Sequence, residues 1–294
     1  MAAVTGSLEL AGPPASIAVR GSRWIGRNLP FVYVGLVIVY LVIPVAVIAM
    51  FSFNDPVSRS NLVWHGFTLK YWLNPLGVPG LGDALAVSLR IAFASTIVAT
   101  IIGTLMALAL VRYDFRGKGA ANLLIFIPMA TPEIVLGASL LTLYVQVGKP
   151  PLFPLNELTI LIAHIMFNIS YVVVTVRARL AGFDRNLEEA AMDLGANPWT
   201  TFWKVTFPLI LPGIMAAGLL AFSLSIDDFV ITNFTAGRTV TFPMYIWGAA
   251  RIGIPVQVNV IGTIIFVAAV GLVALSTVVQ RRQASRDFPR ARTA

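Results

Sequence analysis

The sequence predicts an all-α integral membrane protein with six transmembrane helices. Three observations predict it. Hydrophobic residues make up 57% of the 294-residue chain. Charged residues make up only 12%, against about 25% in an ordinary soluble domain. The mean hydropathy is +0.84, and apolar runs of about 20 residues, enough to cross a bilayer, recur along the chain. So few charges cannot clothe a water-soluble enzyme, and so much apolar surface excludes a disordered chain. Cysteine is absent, which removes disulfides, thiolate metal sites and Cys nucleophiles.

The elements follow in order. A polar, basic tail (1–30) without a signal-peptide core precedes the first span, Phe31 to Phe53, which is therefore read as an uncleaved anchor. The second span runs from Ile91 to Val111, extended back to Ala84, and the third from Ala121 to Val147. Pro128 and Pro132 predict a kink in the third. The fourth is Leu158 to Val176, the fifth Leu209 to about Ile226, and the sixth Val258 to Val279, before a basic tail (281–294). Lys and Arg set the orientation. Arg20, Arg23 and Arg27 precede the first span, Arg112, Arg116 and Lys118 follow the second, and Arg177, Arg179, Arg185 and Lys204 follow the fourth. Five arginines lie in the C-terminal tail. The opposite side holds only Arg59, Lys70, Lys149, Arg238 and Arg251, with Arg90 at its interface. Both termini are thus expected in the cytoplasm. The net charge of +8 reads as this loop bias, and no nucleic-acid partner is expected.

The longest cytoplasmic connection (177–208) has the pattern of two short helices. Asn186 and Glu189 form a capping-box pattern, and Leu187, Ala190, Ala191 and Leu194 make an apolar stripe. Gly195 supplies a left-handed stop, Asn197-Pro198 restarts a helix, and Trp199, Phe202 and Trp203 share its face. These greasy faces either pack under the bundle or in the headgroup layer, or dock another protein.

Acids inside spans are costly and normally face a cavity or a partner. Glu133, 12 residues into the third span, is expected near the midplane, in a kinked helix suited to a cation site. A protonated Glu bonded to a neighbouring helix is the competing account. Asp227 and Asp228 end the fifth span. Adjacent helical residues diverge by about 100°, so at most one faces a pore squarely. Ser225-x-x-Asp228 also fits a plain capping box. Asp227 is the better pathway candidate, with Ser225 as helper. His164 and Asn168 are four apart and read as a hydrogen-bonded interhelical pair. Tyr71 and Trp72 sit before the second span as cation–π faces at the entrance or as interface anchors. His65 and Trp64 precede them without a signal of their own.

Nucleotide and zinc chemistry have no motif here. Gly21 to Asn28 spells G-x-x-x-x-G-R-N, lacking the Lys and hydroxyl of a P-loop. Two distant histidines do not make a zinc site.

Glu189-Ala190-Ala191, Gly195, Val205 and Phe207-Pro208 resemble the EAA motif of ABC-importer permeases: EAA, three residues, G, nine residues, I, one residue, LP. Val205 and Phe207 replace Ile and Leu. Ser52-Phe53-Asn54, Arg112-Tyr113, Phe115-Arg116-Gly117-Lys118, Thr131-Pro132-Glu133 and Ser225-Ile226-Asp227-Asp228 narrow the resemblance to the spermidine/putrescine (polyamine) type, and within it to the C-type permease. The resemblance implies a type I importer permease fold in a six-helix domain (31–280). Glu189, Ala190, Ala191 and Gly195 would be the residues seated in an ATPase subunit. The implied complex contains an ATPase dimer carrying ATP and Mg, a second related permease and an external solute-binding protein docked on Asn54–Asp83 and Arg238–Arg251. Its place is the bacterial inner membrane, and this chain is expected to hold no cofactor and to be no enzyme. The polyamine-type permeases share the acidic pair, which favours a pathway role for Asp227 and Asp228. The alternatives are a proton-coupled secondary transporter or an ABC importer of another small solute, with an intramembrane enzyme or assembly scaffold last.

Overall fold

A computed structural model describes residues 17–58 and 60–287, and within them every regular element is helical. Residues 1–16, Arg59 and the end of the basic tail from 288 lie outside that description, as do the side chains of the tail arginines. Helix α1 (Ile17–Phe51) contains the first span, and it begins well inside the expected tail. From Leu29 on, none of its residues is buried. Among the described residues its main partner is α12 (Val256–Asp287), the last helix.

The first loop after α1 is built on Asn54, which is fully buried. Its amide donates to Asn61 Oδ1 and to the Val63 carbonyl, both at 2.7 Å, and accepts from the His65 N–H at 2.8 Å. The short helix α2 (Lys70–Leu73) then leads to α3 (Leu81–Arg112).

The third predicted span is corrected. It consists of α4 (Lys118–Ala130) and α5 (Glu133–Val147), bent by 109° at the break. The cause is local. A residue preceding proline is pushed out of the helical region, and Thr131, before Pro132, is extended (φ −79°, ψ 131°). Pro132 is extended as well (φ −55°, ψ 132°), so two consecutive residues leave the helix and the chain turns rather than kinks. Neither half reaches the length needed to cross alone.

Next come α6 (Glu157–Ala181), α7 (Asn186–Asp193) and α8 (Pro198–Thr201). A π-helical turn (Phe202–Thr206) feeds α9 (Phe207–Asp227), followed by α10 (Val230–Thr235) and α11 (Phe242–Ile252). Four helical stretches are long and apolar enough to span: Leu29–Phe51, Leu81–Arg112, Glu157–Ala181 and Pro198–Asp227. The bent pair α4–α5 makes a fifth, and the described apolar part of α12 is the shorter Val256–Gly271. The expected six elements are therefore all helical, but among the described residues only four qualify as single unbroken spans.

The core is a three-helix contact of α3, α6 and α9, with Ala99, Ala107, Val172, Val173, Val176, Ile210, Ala217 and Ala221 at its centre. Lipid offers no hydrophobic drive between helices, so small residues that admit close approach hold them together. Gly103 shows how close: a Cβ there would lie 2.6 Å from Val172 Cγ1 and 3.3 Å from the Ile169 carbonyl. Helix α9 carries the chain from the α7 end to Asp227 over 21 residues, about 30 Å at 1.5 Å each.

Candidate functional site

At the α7 end both short helices form, with one change of cap. Asn186 is the first helical residue and caps nothing. Asp184 does the work, its Oδ1 accepting the Asn186 N–H at 3.0 Å, because the helix begins one residue earlier than the Asn186–Glu189 pattern requires. The C-terminal end matches expectation. Gly195 has φ +88°, its N–H reaches the Met192 carbonyl at 2.9 Å, and the Ala196 N–H reaches the Ala191 carbonyl at 3.1 Å. That pair of bonds is a Schellman motif. Asn197 Oδ1 accepts the Thr200 N–H at 2.8 Å, with Pro198 at the first helical position. Glu189, Ala190 and Gly195 are exposed, Ala191 is half-buried, and Leu194 is 91% exposed. Ala190 and Ala191 share one groove of about 540 Å³ with Val205 and Pro208. The two halves of the EAA-like spacing thus line the same surface. Trp203 meets Trp199 and Phe202 edge to face, with ring centroids 5.7 and 5.2 Å away.

At the far end the two aspartates separate. Asp228 is taken up by structure. Its Oδ2 accepts from the Thr232 N–H (2.8 Å) and hydroxyl (2.7 Å), its Oδ1 from the Ile231 N–H (3.3 Å), and His164 Nε2 lies 3.3 Å away. It caps α10, the alternative that the sequence left open beside a pathway role. Ser225 is likewise 5% exposed, bonded to His164 Nδ1 at 2.7 Å and to Ser95 at 3.0 Å, so it is no free helper. The expected interhelical bonding forms at His164, which bridges Ser225 and Thr232, but not at the fully buried Asn168, both of whose amide atoms lack a partner among the described residues.

Asp227 is exposed and lines a cavity of about 510 Å³ with Phe229, Ile246, Trp247 and Ala250. The Phe229 and Trp247 rings lie 5.1 Å apart, and the Arg251 guanidinium sits 5.6 Å from the Trp247 centroid. Asp227 ends α9, where the helix dipole is negative and disfavours an anion. Among the described residues it has no ion-pair partner.

Glu133 is exposed at the first position of α5, not inside a continuous span. Trp72 is not an entrance face. Its Nε1 donates to Ser52 Oγ at 3.3 Å and its ring stacks on Phe53 at 5.1 Å. Tyr71 lines a separate groove of about 860 Å³ with Pro79, Tyr245, Gly248 and Ile252. Helix α11 is the wall between the two hollows: Tyr245, Gly248 and Ile252 face the groove, while Ile246, Trp247 and Ala250 face Asp227.

The family described as "Binding-protein-dependent transport system inner membrane component" matches residues 99–286. The chain belongs to that family. The spermidine/putrescine transport system permease protein PotC of Haemophilus influenzae is 38% identical over 262 residues, 89% of this chain and 98% of that protein. PotC of Escherichia coli K12 is 37% identical over 258 residues (87% and 96%). The putrescine transport system permease protein PotI of the same strain is 36% identical over 260 (86% and 92%). Among solved structures, a chain of a bacterial ABC transporter that imports alginate superposes with TM-score 0.61 at 19% identity, over 92% of this chain and 99% of that one. The fold is therefore that of an ABC-importer permease. The same transporter type has been crystallised with an alginate-pentasaccharide-bound periplasmic protein (TM-score 0.59, 15% identity).

Two groups in this permease are missed by reading residues singly. Glu188 binds Arg112 and the Thr206 hydroxyl through one oxygen. Its signal, a second Glu beside the EAA-like Glu189, is visible but does not reveal its partner 76 residues away. Ser225, His164 and Asp228 connect α9, α6 and α10 in the order of a hydrolase triad. Ser225 is buried, however, and a nucleophile needs access for its substrate. The connectivity is a clamp between helices.

Proposed function

We propose that this chain forms half of the translocation pathway of an ATP-driven importer for a polyamine of the spermidine/putrescine class. The observation that carries the reading is Asp227: an exposed carboxylate at a helix C-terminus, in a hollow walled by Phe229 and Trp247 and without a cationic partner among the described residues. A carboxylate holds an ammonium group by a charge-assisted bond, and aromatic faces attract the same cation. The family membership and the names of the PotC and PotI relatives support the same solute class. Glu133 and Tyr71 are proposed as secondary pathway residues.

In this reading Glu189, Ala190, Ala191 and Gly195 seat in an ATPase subunit, which carries ATP and Mg. A second permease completes the pathway, and an external binding protein delivers the solute to the loops before α3 and around α11. Both termini then face the cytoplasm of a bacterial cell. Closure of the ATPase pair pushes α7 and switches the bundle between two packings, a rigid-body transition.

Uptake of labelled spermidine by the complete importer in proteoliposomes tests this. Loss of a charged hydrogen bond of about 1.5 kcal/mol predicts a roughly tenfold weaker solute response for Asp227→Asn. Unchanged uptake in that variant removes Asp227 from the pathway. Uptake that persists without ATP and collapses with an uncoupler favours a secondary transporter instead.

A further inference from the structure

We infer that Glu188 is the joint that transmits movement of α7 into the membrane-spanning bundle. The inference rests on the reading of α7 as the ATPase-docking helix and adds the route by which its motion leaves it.

The need for such a joint comes from packing. Helix α7 buries none of its residues. Apolar contact alone therefore cannot hold it in register with the spans, and a helix that slides on its support transmits no force. Its polar ties supply the register. Glu188 Oε1 accepts from Arg112 Nη2, in the last turn of α3, and from the hydroxyl of Thr206, the last residue of the π-helical turn that opens into α9. Arg112 Nη2 also approaches Thr206 Oγ1 at 3.4 Å, closing a triangle. One residue before α7, Arg185 Nη2 donates to the Val111 carbonyl at 3.1 Å, a second tie to the same end of α3.

The place of these ties gives them consequence. Helices α3 and α9 are two of the three that make the central packing, and α9 ends at Asp227. One carboxylate oxygen thus links the α7 helix to both. The side chains of Arg112 and Glu188 are 29% and 15% exposed, more sheltered than the surface pairs that contribute little. The π-helical turn lies at the point of attachment. An extra residue in the turn is a frequent device at functional sites, and here it sets the Thr206 hydroxyl against Glu188. Glu189, one residue on, points away and is exposed. The two neighbouring glutamates therefore have different tasks, one facing outward and one holding the bundle.

The test uses the complete importer with Glu188→Gln, Arg112→Gln, and the exchange Glu188→Arg with Arg112→Glu. Two quantities are read: ATPase retained on purification, and ATP hydrolysed per solute imported. The expected result is near-normal ATPase retention in all three. ATP spent per solute rises at least about fivefold in the single variants, the low end of ordinary coupling between sites, and the exchange brings it back toward the parent. A purely structural pair would lower the yield of complex without changing that ratio. An unchanged ratio in both single variants overturns the inference, as does loss of the ATPase itself or an exchange that restores nothing. A single cysteine at Leu194, in a chain with none of its own, tests the underlying docking separately. If Leu194→Cys crosslinks to the ATPase while the ratio is unmoved, the joint fails and the docking stands. If no crosslink forms, the docking reading falls first.

Discussion

Gly195 offers a way to ask what the EAA-like loop requires of its glycine. The residue sits at φ +88° and nothing lies within 4 Å of where its Cβ would be. Space is therefore not the constraint within this chain, and backbone conformation is. An L-residue in the left-handed region costs about 1–2 kcal/mol, and Asn pays less than other residues. For Gly195→Ala this corresponds to a loss of roughly 5- to 30-fold in the population of the docked loop, or in ATPase affinity if docking selects that loop. Gly195→Asn should lose less, despite being larger. The assay is the affinity of the purified ATPase for the permease in nanodiscs, measured for Gly, Asn and Ala at this position. The order Gly, Asn, Ala supports the backbone argument. The order Gly, Ala, Asn would refute it, since bulk would then be what matters, and the glycine would be there because the ATPase surface approaches it closely.

Other outcomes follow from the packing and the far-end cavity. Gly103→Leu must part α3 from α6 at Val172 and should destabilise the permease by about 1–3 kcal/mol, seen as a lower unfolding temperature in detergent; an unchanged temperature would contradict the close approach. Asp228→Ala strips the cap of α10 and leaves the Thr232 N–H and hydroxyl without their acceptor, at a cost of about 2 kcal/mol or more. It should show as lost thermal stability, whereas Asp227→Asn should leave stability intact and weaken transport. Trp247→Leu keeps an apolar wall but removes a cation-attracting face, so spermidine uptake should weaken severalfold, by about 1 kcal/mol. Equal uptake would leave the aromatic pair as packing only.

Some of this was readable residue by residue. The left-handed stop at Gly195 and the helix start at Asn197-Pro198 depend on residues within a few positions, and both are present as expected. That Asp227 and Asp228 diverge was expected from the 100° step between helical neighbours, but the cause in the structure is that α9 ends at Asp227 and Asp228 leaves it extended (φ −63°, ψ 122°). The break after Thr131 was only half readable. Two prolines announce a disturbance, but whether a helix kinks or turns through 109° depends on both Thr131 and Pro132 being extended. The cap at Asp184 in place of Asn186 is a matter of one residue in a helix boundary, where local preference is nearly level between Asn and Asp.

Apolar runs, basic-residue bias and the spacing from Glu189 to Pro208 are properties of the chain order, and they suffice for membrane class, helix content and family, because hydrocarbon and headgroups act on each segment separately. Partnership is different. That His164 takes Ser225 and Thr232 and that Arg112 finds Glu188 were decided only when α3, α6 and α9 packed, and that Trp72 closes on Ser52 and Phe53 only when α2 met the end of α1. A polar side chain buried between helices can bond only to what the neighbouring helix brings within reach, and that neighbour is chosen by the small residues along the contact, not by anything adjacent in the chain.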